Sequence, residues 1–386
     1  MKIAVLGGGP GGLYFSHLWK MRHPESQVTV FEQNPQDATW GFGVVFSDRA
    51  LEFLRADDPD TVDAIQPHME TWQDITLYHK GEKIAIDGVG FSAIGRLELL
   101  LLLQARARKS GVEMRFDHSV RSLAELDGYD LIVAADGLNS LVRRSYEGDF
   151  AMSLSYLENK FNWFGTTKRF ETLSQTFVDT PEGPFNVHHY RYSPTMSTFL
   201  IETNRETWLR AGFHTMGPDE TKAKLEKIYA DVLDGHKLIS NNSNWRNFPV
   251  LWNERWHFKN MVLLGDALHT AHFSIGSGTR LALEDCLALV KALEAEPNDL
   301  QAGLARYQAI RKPVVEKLVT AATQSMNWYE NYAEHMKLSP RELAFSYITR
   351  SGRMDLTRLR AQSPKFTALY AKDHAIHGVA KMVRAD

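Results

Sequence analysis

The sequence predicts an α/β fold with an inserted, mostly antiparallel β-sheet and a helical C-terminus. Three observations predict it. First, a buried strand, a glycine turn and a helix open the chain at residues 2–23. Second, apolar stretches typical of buried parallel strands return at residues 129–135 and 260–264. Third, residues 150–255 change to short alternating, aromatic-rich segments separated by Pro, Gly and Asn, which indicate antiparallel strands.

The first elements follow in order along the chain. Residues 2–6 are predicted as a buried strand, residues 12–23 as a helix and residues 28–32 as a second strand, which together form a βαβ unit. Residues 96–110 carry leucines on one face and Arg or Lys toward the end. Gly111 then stops the pattern, as expected at the C-terminus of a helix.

The last third of the chain returns to a helical pattern, from Leu281 to about Trp328, and the remainder is predicted to be helical and more basic. Residues 341–386 contain nine Lys or Arg and four Asp or Glu, an excess of five cations. A solvated helical face and a phosphate-binding patch both explain this excess. The candidates for such a patch are four arginines: Arg350, Arg353, Arg358 and Arg360.

Composition limits the function classes. The 386 residues are 44% hydrophobic and 24% charged, the balance of a globular protein with a full-sized core. The net charge of −3 creates no global basic field, so we expect neither nucleic acid nor a membrane as a partner. The single cysteine, Cys286, cannot form an intrachain disulfide, and the N-terminus has no signal-peptide pattern, so we expect a reducing, cytoplasmic location.

The first motif follows the opening strand. Gly7, Gly9 and Gly12, with Pro10 between them, satisfy G-x-G-x-x-G at the start of a helix. Glycine is required there because a Cβ would block the tight turn and the approach of a pyrophosphate to the backbone. Glu32 lies 20 residues after Gly12, at the end of the second strand, where its carboxylate can accept from ribose hydroxyls. The sequence therefore predicts a dinucleotide site, and this motif alone leaves NAD(P) and FAD open.

Two later motifs decide between these dinucleotides. Asp136-Gly137 follows one predicted strand and Gly265-Asp266 follows another. Together with the glycine motif they resemble the single-component flavin hydroxylases, the family typified by para-hydroxybenzoate hydroxylase. The resemblance implies that all three motifs bind FAD, that Asp266 holds ribityl or ribose hydroxyls, and that Arg96 meets the pyrophosphate as a bidentate donor. The implied fold is a Rossmann-type FAD-binding domain with an inserted β-sheet substrate domain.

After the Gly-Asp motif the sequence departs from the general pattern of this family. Most members continue with a proline and a G-x-G-x-N run, whereas residues 272–280 read HFSIGSGTR, with Phe273 at the proline position and Arg280 at the asparagine position. Gly276 and Gly278 are still expected to present backbone amides to the flavin. This segment and residues 40–48 resemble the corresponding segments of the salicylyl-CoA 5-hydroxylases and of the anthraniloyl-CoA monooxygenase flavin domain. The violacein-pathway tryptophan hydroxylase is a more distant relative of the same subgroup.

The resemblance divides the chain into interleaved domains. Residues 1–75, 92–149 and 256–330 are predicted to form the FAD-binding domain. Residues 76–91 and 150–255 are predicted to form the β-sheet substrate domain. The last 56 residues, 331–386, are predicted as a C-terminal helical tail.

The resemblance also implies a reaction. A nicotinamide, NADH in preference to NADPH, reduces FAD, and O₂ adds at flavin C4a to give a hydroperoxide that attacks an electron-rich ring. The chain has no second G-x-G-x-x-G, so the nicotinamide is expected to dock transiently. The expected reaction converts salicylyl-CoA to 2,5-dihydroxybenzoyl-CoA. The alternatives are hydroxylation of a tryptophan- or indole-derived ring, and a flavin-binding module without catalysis; a halogenase is disfavoured because its Trp-x-Trp-x-Ile-Pro signature is absent.

The candidates for proton transfer lie in the stretch VHHYRY. If these residues form a strand, His188, Tyr190 and Tyr192 share one face and His189 and Arg191 share the other. We predict His188 and Tyr190 as the catalytic pair, because only one face can meet the flavin; a structural role in the sheet is an open alternative for both.

Four further residues are predicted to contact the substrate. Trp163 and Phe248 are expected to pack on its ring, and Phe273 and Ser274 to shape the ring pocket. No metal site is predicted, because His269 and His272 have no acidic or further histidine partner near them in the sequence. Cys286 is predicted as a small buried apolar residue.

Overall fold

The structure is a computed structural model that describes residues 1–47 and 51–383. Residues 48–50 of the predicted domain 1–75, including the end of the 40–48 stretch, and residues 384–386 of the predicted tail lie outside the described residues. Within the described ranges, no helix is long and apolar enough to cross a membrane.

The strands are numbered here in chain order. They are β1 (Lys2–Leu6), β2 (Gln27–Phe31), β3 (Gly43–Ser47), β4 (Glu70–Trp72), β5 (Ile75–His79), β6 (Glu82–Ile86), β7 (Phe91–Gly95), β8 (Glu113–Arg115), β9 (Leu131–Ala134), β10 (Met152–Thr166), β11 (Leu173–Thr180), β12 (Gly183–Arg191), β13 (Ser197–Thr203), β14 (Leu238–Ser240), β15 (Arg246–Asn253), β16 (His257–Phe258) and β17 (Met261–Leu263).

The helices are numbered in the same way. They are α1 (Pro10–Arg22), α2 (Glu52–Arg55), α3 (Pro59–Ile65), α4 (Arg96–Lys109), α5 (Leu141–Ser145), α6 (Glu147–Phe150), α7 (Arg205–Arg210), α8 (Pro218–Ile228), α9 (Ala230–Leu233), α10 (Gly278–Ala295), α11 (Leu300–Glu330), α12 (Tyr332–His335), α13 (Pro340–Thr349), α14 (Leu356–Gln362) and α15 (Pro364–Val383).

The first sheet has the order β16-β17-β9-β1-β2-β8, and its strands are parallel except for the β16–β17 pair. Its central strands are buried because they are apolar on both faces, as parallel strands between helices require. Helices α1, α4 and α10 pack on it through residues such as Leu13, Leu99 and Leu289. The carboxyl ends of β1, β2 and β9 therefore meet at one edge, where this type of sheet binds ligands.

The second sheet has the order β14-β10-β13-β12-β11-β5-β6, with β15 paired to β10, and it is antiparallel except for β11 and β5. Alternation along β10, β12 and β13 gives it two distinct faces. One face packs on α8 and α9 through Phe199, Leu225 and Tyr229. The other face carries Trp163, Leu200 and His188 in one cross-strand row and is turned toward the first sheet.

The C-terminal helices close the second sheet beside β5 and β6. Tyr329, Leu343 and Tyr347 form a core with Leu77 and Ile86. A small antiparallel sheet, β3-β7-β4, lies between these layers. The predicted tail thus contributes to a buried core, a role that its basic composition does not predict.

The predicted fold class is confirmed: an α/β domain, an inserted and largely antiparallel sheet, and a helical C-terminus are all present. The helix predicted at residues 96–110 is observed at Arg96–Lys109, and Gly111 follows it with a φ of 87°, which glycine adopts without strain. The helix predicted at residues 12–23 begins earlier, at Pro10, because proline needs no hydrogen-bond acceptor at the first helical position.

Candidate functional site

One cavity of about 1010 Å³ joins the carboxyl edge of the first sheet to the inner face of the second. At one end it is lined by the glycine motif, Glu32 and Asp136, and at the other by aromatic side chains of β10 and β12. Ligand sites in open α/β sheets lie at such strand ends. Because this one cavity contains both the predicted dinucleotide residues and the predicted substrate residues, we take it as the functional site.

The glycine motif forms an open cradle at the first end. Gly7 has a φ of 97°, and a Cβ there would collide with the backbone of Ala135. A Cβ at Gly12 would collide with the carbonyl of Gly7. At Gly9, by contrast, a Cβ would meet nothing within 4 Å, because this position faces the cavity. The start of α1 therefore presents backbone N–H groups and its positive dipole end to open space, as a pyrophosphate requires.

Glu32 lies beside this cradle. Its Oε2 accepts from the Gly8 N–H at 2.7 Å, and its Oε1 accepts from the Asn34 N–H at 2.8 Å. A carboxylate offers about four acceptor positions. The side chain is therefore held in place by the backbone and keeps capacity for ribose hydroxyls on its cavity side.

The Asp-Gly and Gly-Asp motifs meet through a buried arginine. Arg143, only 1% exposed, donates to the carbonyl of Ala267 at 2.7 Å and to the carbonyl of Leu138. It thereby ties the turn after β9 to the turn after β17. The sequence does not predict this role for Arg143, because its partners are backbone carbonyls and the sulfur of Met152, which leave no charge pattern in the sequence.

Asp136 and Asp266 both border the cavity. Oδ2 of Asp136 accepts from the Leu141 N–H at 2.7 Å, whereas its Oδ1 is enclosed without a partner. The carboxylate of Asp266 is exposed to the cavity and is surrounded by protein on its other sides. Desolvation by this surrounding protein raises its pKa, and the charge of Arg96 opposes the rise. Gly137, Gly265, Gly276 and Gly278 line the same cavity.

Arg96 supplies the positive charge of this end. It begins α4, its backbone N–H donates to the carbonyl of Phe42 at 2.7 Å, and its guanidinium lies 5.9 Å from the ring of Trp163. Desolvation lowers its pKa, and its Nε is enclosed without a partner. Within the described residues Arg96 forms no salt bridge. A half-buried cation that pairs with no carboxylate at salt-bridge distance in the described residues, next to an open glycine cradle, fits the pyrophosphate of FAD.

The second end is a chamber of aromatic rings. Phe273 has its ring centroid 5.2 Å from that of Phe161, 5.8 Å from that of Phe248 and 5.6 Å from that of His188. Trp163, two residues after Phe161 on β10, faces the same cavity. The structure thus brings Trp163, Phe248, Phe273 and Ser274 together. Phe161 was not predicted, although its i, i+2 spacing to Trp163 carried the signal.

Strand β12 alternates as the sequence predicts. His188 and Tyr190 line the cavity, whereas His189 points to the other face and bonds Thr176 at 2.8 Å. The hydroxyl of Tyr190 donates to the carbonyl of Gly43 at 2.8 Å, and burial raises its pKa. That hydroxyl is therefore engaged with the backbone. Of the predicted pair, His188 is the better placed to accept a proton.

Of the four arginines in the predicted tail patch, Arg350 lines the cavity. Arg353, Arg358 and Arg360 are exposed and do not line it. It donates to the Ser274 carbonyl at 2.7 Å and to Ser325 Oγ at 3.0 Å, and it stacks on Tyr347 at 3.9 Å. Because Ser274 Oγ also bonds Ser325 at 2.7 Å, the HFSIG segment is held against α11 and α13.

The two histidines behind the Gly-Asp motif have structural partners. His269 bonds the buried carboxylate of Asp285 at 3.0 Å, and Arg311 bonds the same carboxylate at 2.7 Å. Asp285 lies sixteen residues after His269, and the placement of α10 brings its side chain back beside His269. Spacing in the sequence alone does not reveal this contact. His272 caps the turn at Phe273–Ile275 and packs on Phe248 at 4.8 Å. In the described part of the chain, no group of three metal-ligating side chains is found.

The fold and the cavity together are those of a nucleotide-binding enzyme with an aromatic chamber beside the nucleotide cradle. Residues 1–322 match the family model described as FAD binding domain, and the chain belongs to that family. It is 42% identical to salicyloyl-CoA 5-hydroxylase of Streptomyces sp., over 91% of this chain and 70% of that protein. It is 33% identical to protodeoxyviolaceinate monooxygenase of Chromobacterium violaceum, over 91% of this chain and 94% of that protein.

Solved structures agree on the fold. The Pseudomonas aeruginosa protein PqsL, in complex with 2-aminobenzoylacetate, superposes with a TM-score of 0.67 at 20% identity, covering 86% of this chain and 96% of that one. 2-Methyl-3-hydroxypyridine-5-carboxylic acid oxygenase superposes with a TM-score of 0.68 at 15% identity, covering 94% of this chain and 96% of that one.

The chain is therefore a flavin-dependent aromatic monooxygenase, and the resemblance found in the sequence is confirmed. Family membership confirms FAD as the cofactor, and the hydroxylase relatives support NAD(P)H and O₂ as its co-substrates.

Proposed function

We propose that this chain hydroxylates the ring of an aryl thioester and that its substrate is salicylyl-CoA, converted to 2,5-dihydroxybenzoyl-CoA with NADH and O₂. The observation that carries the proposal is the cavity itself, which joins the FAD determinants to an aromatic chamber bordered by Arg350, a cation that forms no salt bridge within the described residues. Such a chamber suits a flat ring that becomes anionic. The salicyloyl-CoA 5-hydroxylase at 42% identity supports the choice of ring and thioester.

Ring electronics explain the position of attack. A hydroxyl ortho to a thioester activates the carbon para to itself, and its ionisation makes that carbon more nucleophilic. When bound, FAD supplies the activated oxygen for this carbon. The protein must orient the ring, take up the phenolic proton and exclude water.

The chamber residues divide these tasks. Phe161, Phe248 and Phe273 enclose a ring and keep water away. His188 receives the phenolic proton, because its imidazole lies on the cavity face. Desolvation and the charge of Arg350 hold its pKa well below the ordinary value, so the imidazole is neutral beforehand and passes the proton on without retaining it. The same charge of Arg350 favours the phenolate that remains.

A second candidate is hydroxylation of an indole-derived ring. The protodeoxyviolaceinate monooxygenase at 33% identity supports it. A further relative, 35% identical over 85% of this chain and 89% of its own length, is named for a ring joined to an aryl-carrier protein, which favours a carrier-linked substrate.

The test compares NADH consumption in air by the FAD-reconstituted protein with salicylyl-CoA, free salicylate, an indole substrate and no substrate. We expect stimulation by the thioester alone and a product heavier by one oxygen atom. Equal stimulation by free salicylate would contradict the thioester assignment. Stimulation by the indole alone would establish the second candidate, and no stimulation by any ring would indicate a flavin-binding module.

A further inference from the structure

A buried carboxyl group lies directly behind His188. Glu202, on β13, is 1% exposed and lies in the cross-strand row next to that of His188, on the same face of the sheet. Its Oε2 is 4.0 Å from Nε2 of His188. Both atoms are enclosed, and neither has a hydrogen-bond partner among the residues that the structure describes.

Neighbouring polar groups hold Glu202 in position. Asn159 Nδ2 donates to Oε1 of Glu202 at 2.9 Å and to the carbonyl of Tyr329 at 2.8 Å. Asn186 lies opposite Glu202 on β12 and is itself fixed by Gln175, whose Nε2 donates to its Oδ1 at 2.7 Å. With Oε1 occupied, Oε2 is the atom left for His188.

Orientation of the imidazole is also constrained. His188 is packed between Phe273 and Tyr329, with ring centroids 5.6 and 5.1 Å away. Of its two nitrogens, Nε2 is enclosed on the Glu202 side, which leaves Nδ1 for the cavity side. The gap of 4.0 Å closes to hydrogen-bond length with a side-chain shift of about 1 Å, and catalytic hydrogen bonds are commonly long before substrate binds.

We propose that Glu202 is a positioning residue that acts through His188 and receives, across the imidazole, the proton released by the substrate phenol. This inference rests on the proposed function, because it needs a phenolic substrate. The arrangement is a substrate–His–carboxylate series, in which the carboxylate fixes the tautomer of the imidazole and accepts its proton.

The proton balance is simple. The phenolic O–H bond breaks and a bond to Nδ1 of His188 forms. The Nε2–H bond breaks and an O–H bond forms on Glu202, and the electron pair stays on the phenolate oxygen. No electrons are transferred, and the same path returns a proton to the product.

This path requires Glu202 to be ionised before it accepts a proton. Burial and, to a smaller extent, the charge of Glu330 raise the pKa of Glu202 to about 8, against the opposing effect of Asn159 and Asn186. The path is therefore open above about pH 8 and closes below it.

The other titratable groups around His188 and Glu202 come from several elements. They are His189 on β12, His272 before the Phe273–Ile275 turn, Tyr229 beside α9, Tyr329 and Glu330 on α11, Tyr332 on α12 and Arg350 after α13.

The experiment compares the wild-type holoenzyme with Glu202→Gln, which keeps the acceptor for Asn159. Ionisation of bound salicylyl-CoA is followed by difference absorbance from pH 6 to pH 10 without NADH, and coupled hydroxylation is measured over the same range. In the wild type we expect both to rise through about pH 8. In Glu202→Gln we expect no such rise and a loss of hydroxylation of about ten-fold or more at pH 9.

Glu330→Gln is the matched variant. It removes the neighbouring carboxylate that raises the pKa of Glu202, so the inflection should move to lower pH and keep its amplitude.

Thermal unfolding is a further readout that needs no turnover. Because the folded-state pKa of Glu202 lies above its ordinary value, the contribution of this carboxyl to stability is lost as the pH rises toward about 8. The Tm of Glu202→Gln minus the Tm of the wild type should therefore increase as the pH rises.

The outcomes separate this inference from the proposed function. Wild type that is not stimulated by salicylyl-CoA would overturn both. Wild type that hydroxylates the thioester, with pH profiles unchanged in Glu202→Gln and Glu330→Gln, would overturn the role of Glu202 alone. Loss of the inflection in the first variant and its shift in the second would establish it.

Discussion

At the scale of single residues, the site depends on polar atoms that the fold encloses without a protein partner. Nε of Arg96 and Oδ1 of Asp136 border the FAD end of the cavity, and Nε2 of His188 lies at the substrate end. Leaving a buried polar atom unpaired costs about 1–3 kcal/mol. Because these three atoms belong to residues that line the cavity, a ligand or a proton can complete them.

The open position of Gly9 yields the first prediction. In Gly9→Asp the new side chain has room, so the fold should remain, but its carboxylate would repel the pyrophosphate. We expect loss of FAD retention on gel filtration, with the Tm of the apoprotein little changed. Gly148→Asp, also in open space but away from the cavity, is the control and should stay yellow. A yellow Gly9→Asp protein would contradict the assignment of the cradle.

Arg350 yields the second prediction. Arg350→Gln removes the charge that favours a phenolate and loosens the HFSIG segment. Because removal of one preorganised donor commonly costs about 10²–10³-fold in rate, we expect about a 10²-fold loss of coupled hydroxylation. The pKa of His272, held at about 3 by burial and by Arg350, should rise, as NMR titration would show. Arg353→Gln, at an exposed site outside the cavity, should retain full activity; equal loss in both variants would refute the role of Arg350.

At the scale of elements, the Gly-Asp turn is held by a buried triad of side chains. Asp285 on α10 bonds His269 of the turn and Arg311 of α11, and these interactions outweigh the effect of burial and hold the pKa of the carboxyl below its ordinary value. Three elements are thereby fixed relative to one another. The position of Asp266, three residues before His269, follows from this contact.

Asp285→Asn tests the triad. The substitution removes the charged partner of His269 and leaves Arg311 paired with Glu284 alone, so we expect a loss of about 1–3 kcal/mol in the free energy of unfolding, measured by urea denaturation. Since the pKa of Asp285 is lowered, the wild-type contribution is present at neutral pH and is lost as the pH falls through that lowered value. Glu334→Gln, which removes an exposed pair with Lys337, should change stability by less than about 1 kcal/mol.

At the scale of the whole molecule, the cavity exists because two sheets of different topology face each other. The parallel sheet contributes its strand ends and the antiparallel sheet contributes one of its faces. The C-terminal helices complete this arrangement by packing on β5 and β6 and by delivering Arg350 to the chamber. The predicted tail is thus part of the framework of the active site.

Two leucines of this C-terminal region test that conclusion. Leu343 is fully buried in the second core, so Leu343→Ala should cost about 2–5 kcal/mol in the free energy of unfolding and should also weaken FAD-dependent turnover. Leu369 is 45% exposed, and Leu369→Ala should have little effect on either. Equal Tm values for the two variants would show that the region is not integrated.

By itself, the sequence determined the fold class, the βαβ opening, the FAD motifs and the alternation of β12. These follow from local rules: glycine at positive φ in Gly7, proline at the start of α1, and the period of two that separates His188 from His189. Only the tertiary structure decided which polar groups meet. The pairing of His269 with Asp285, the approach of Glu202 to His188 and the arrival of Arg350 at the chamber join residues far apart in the chain. Their physical basis is burial between packed elements, which no single stretch of sequence encodes.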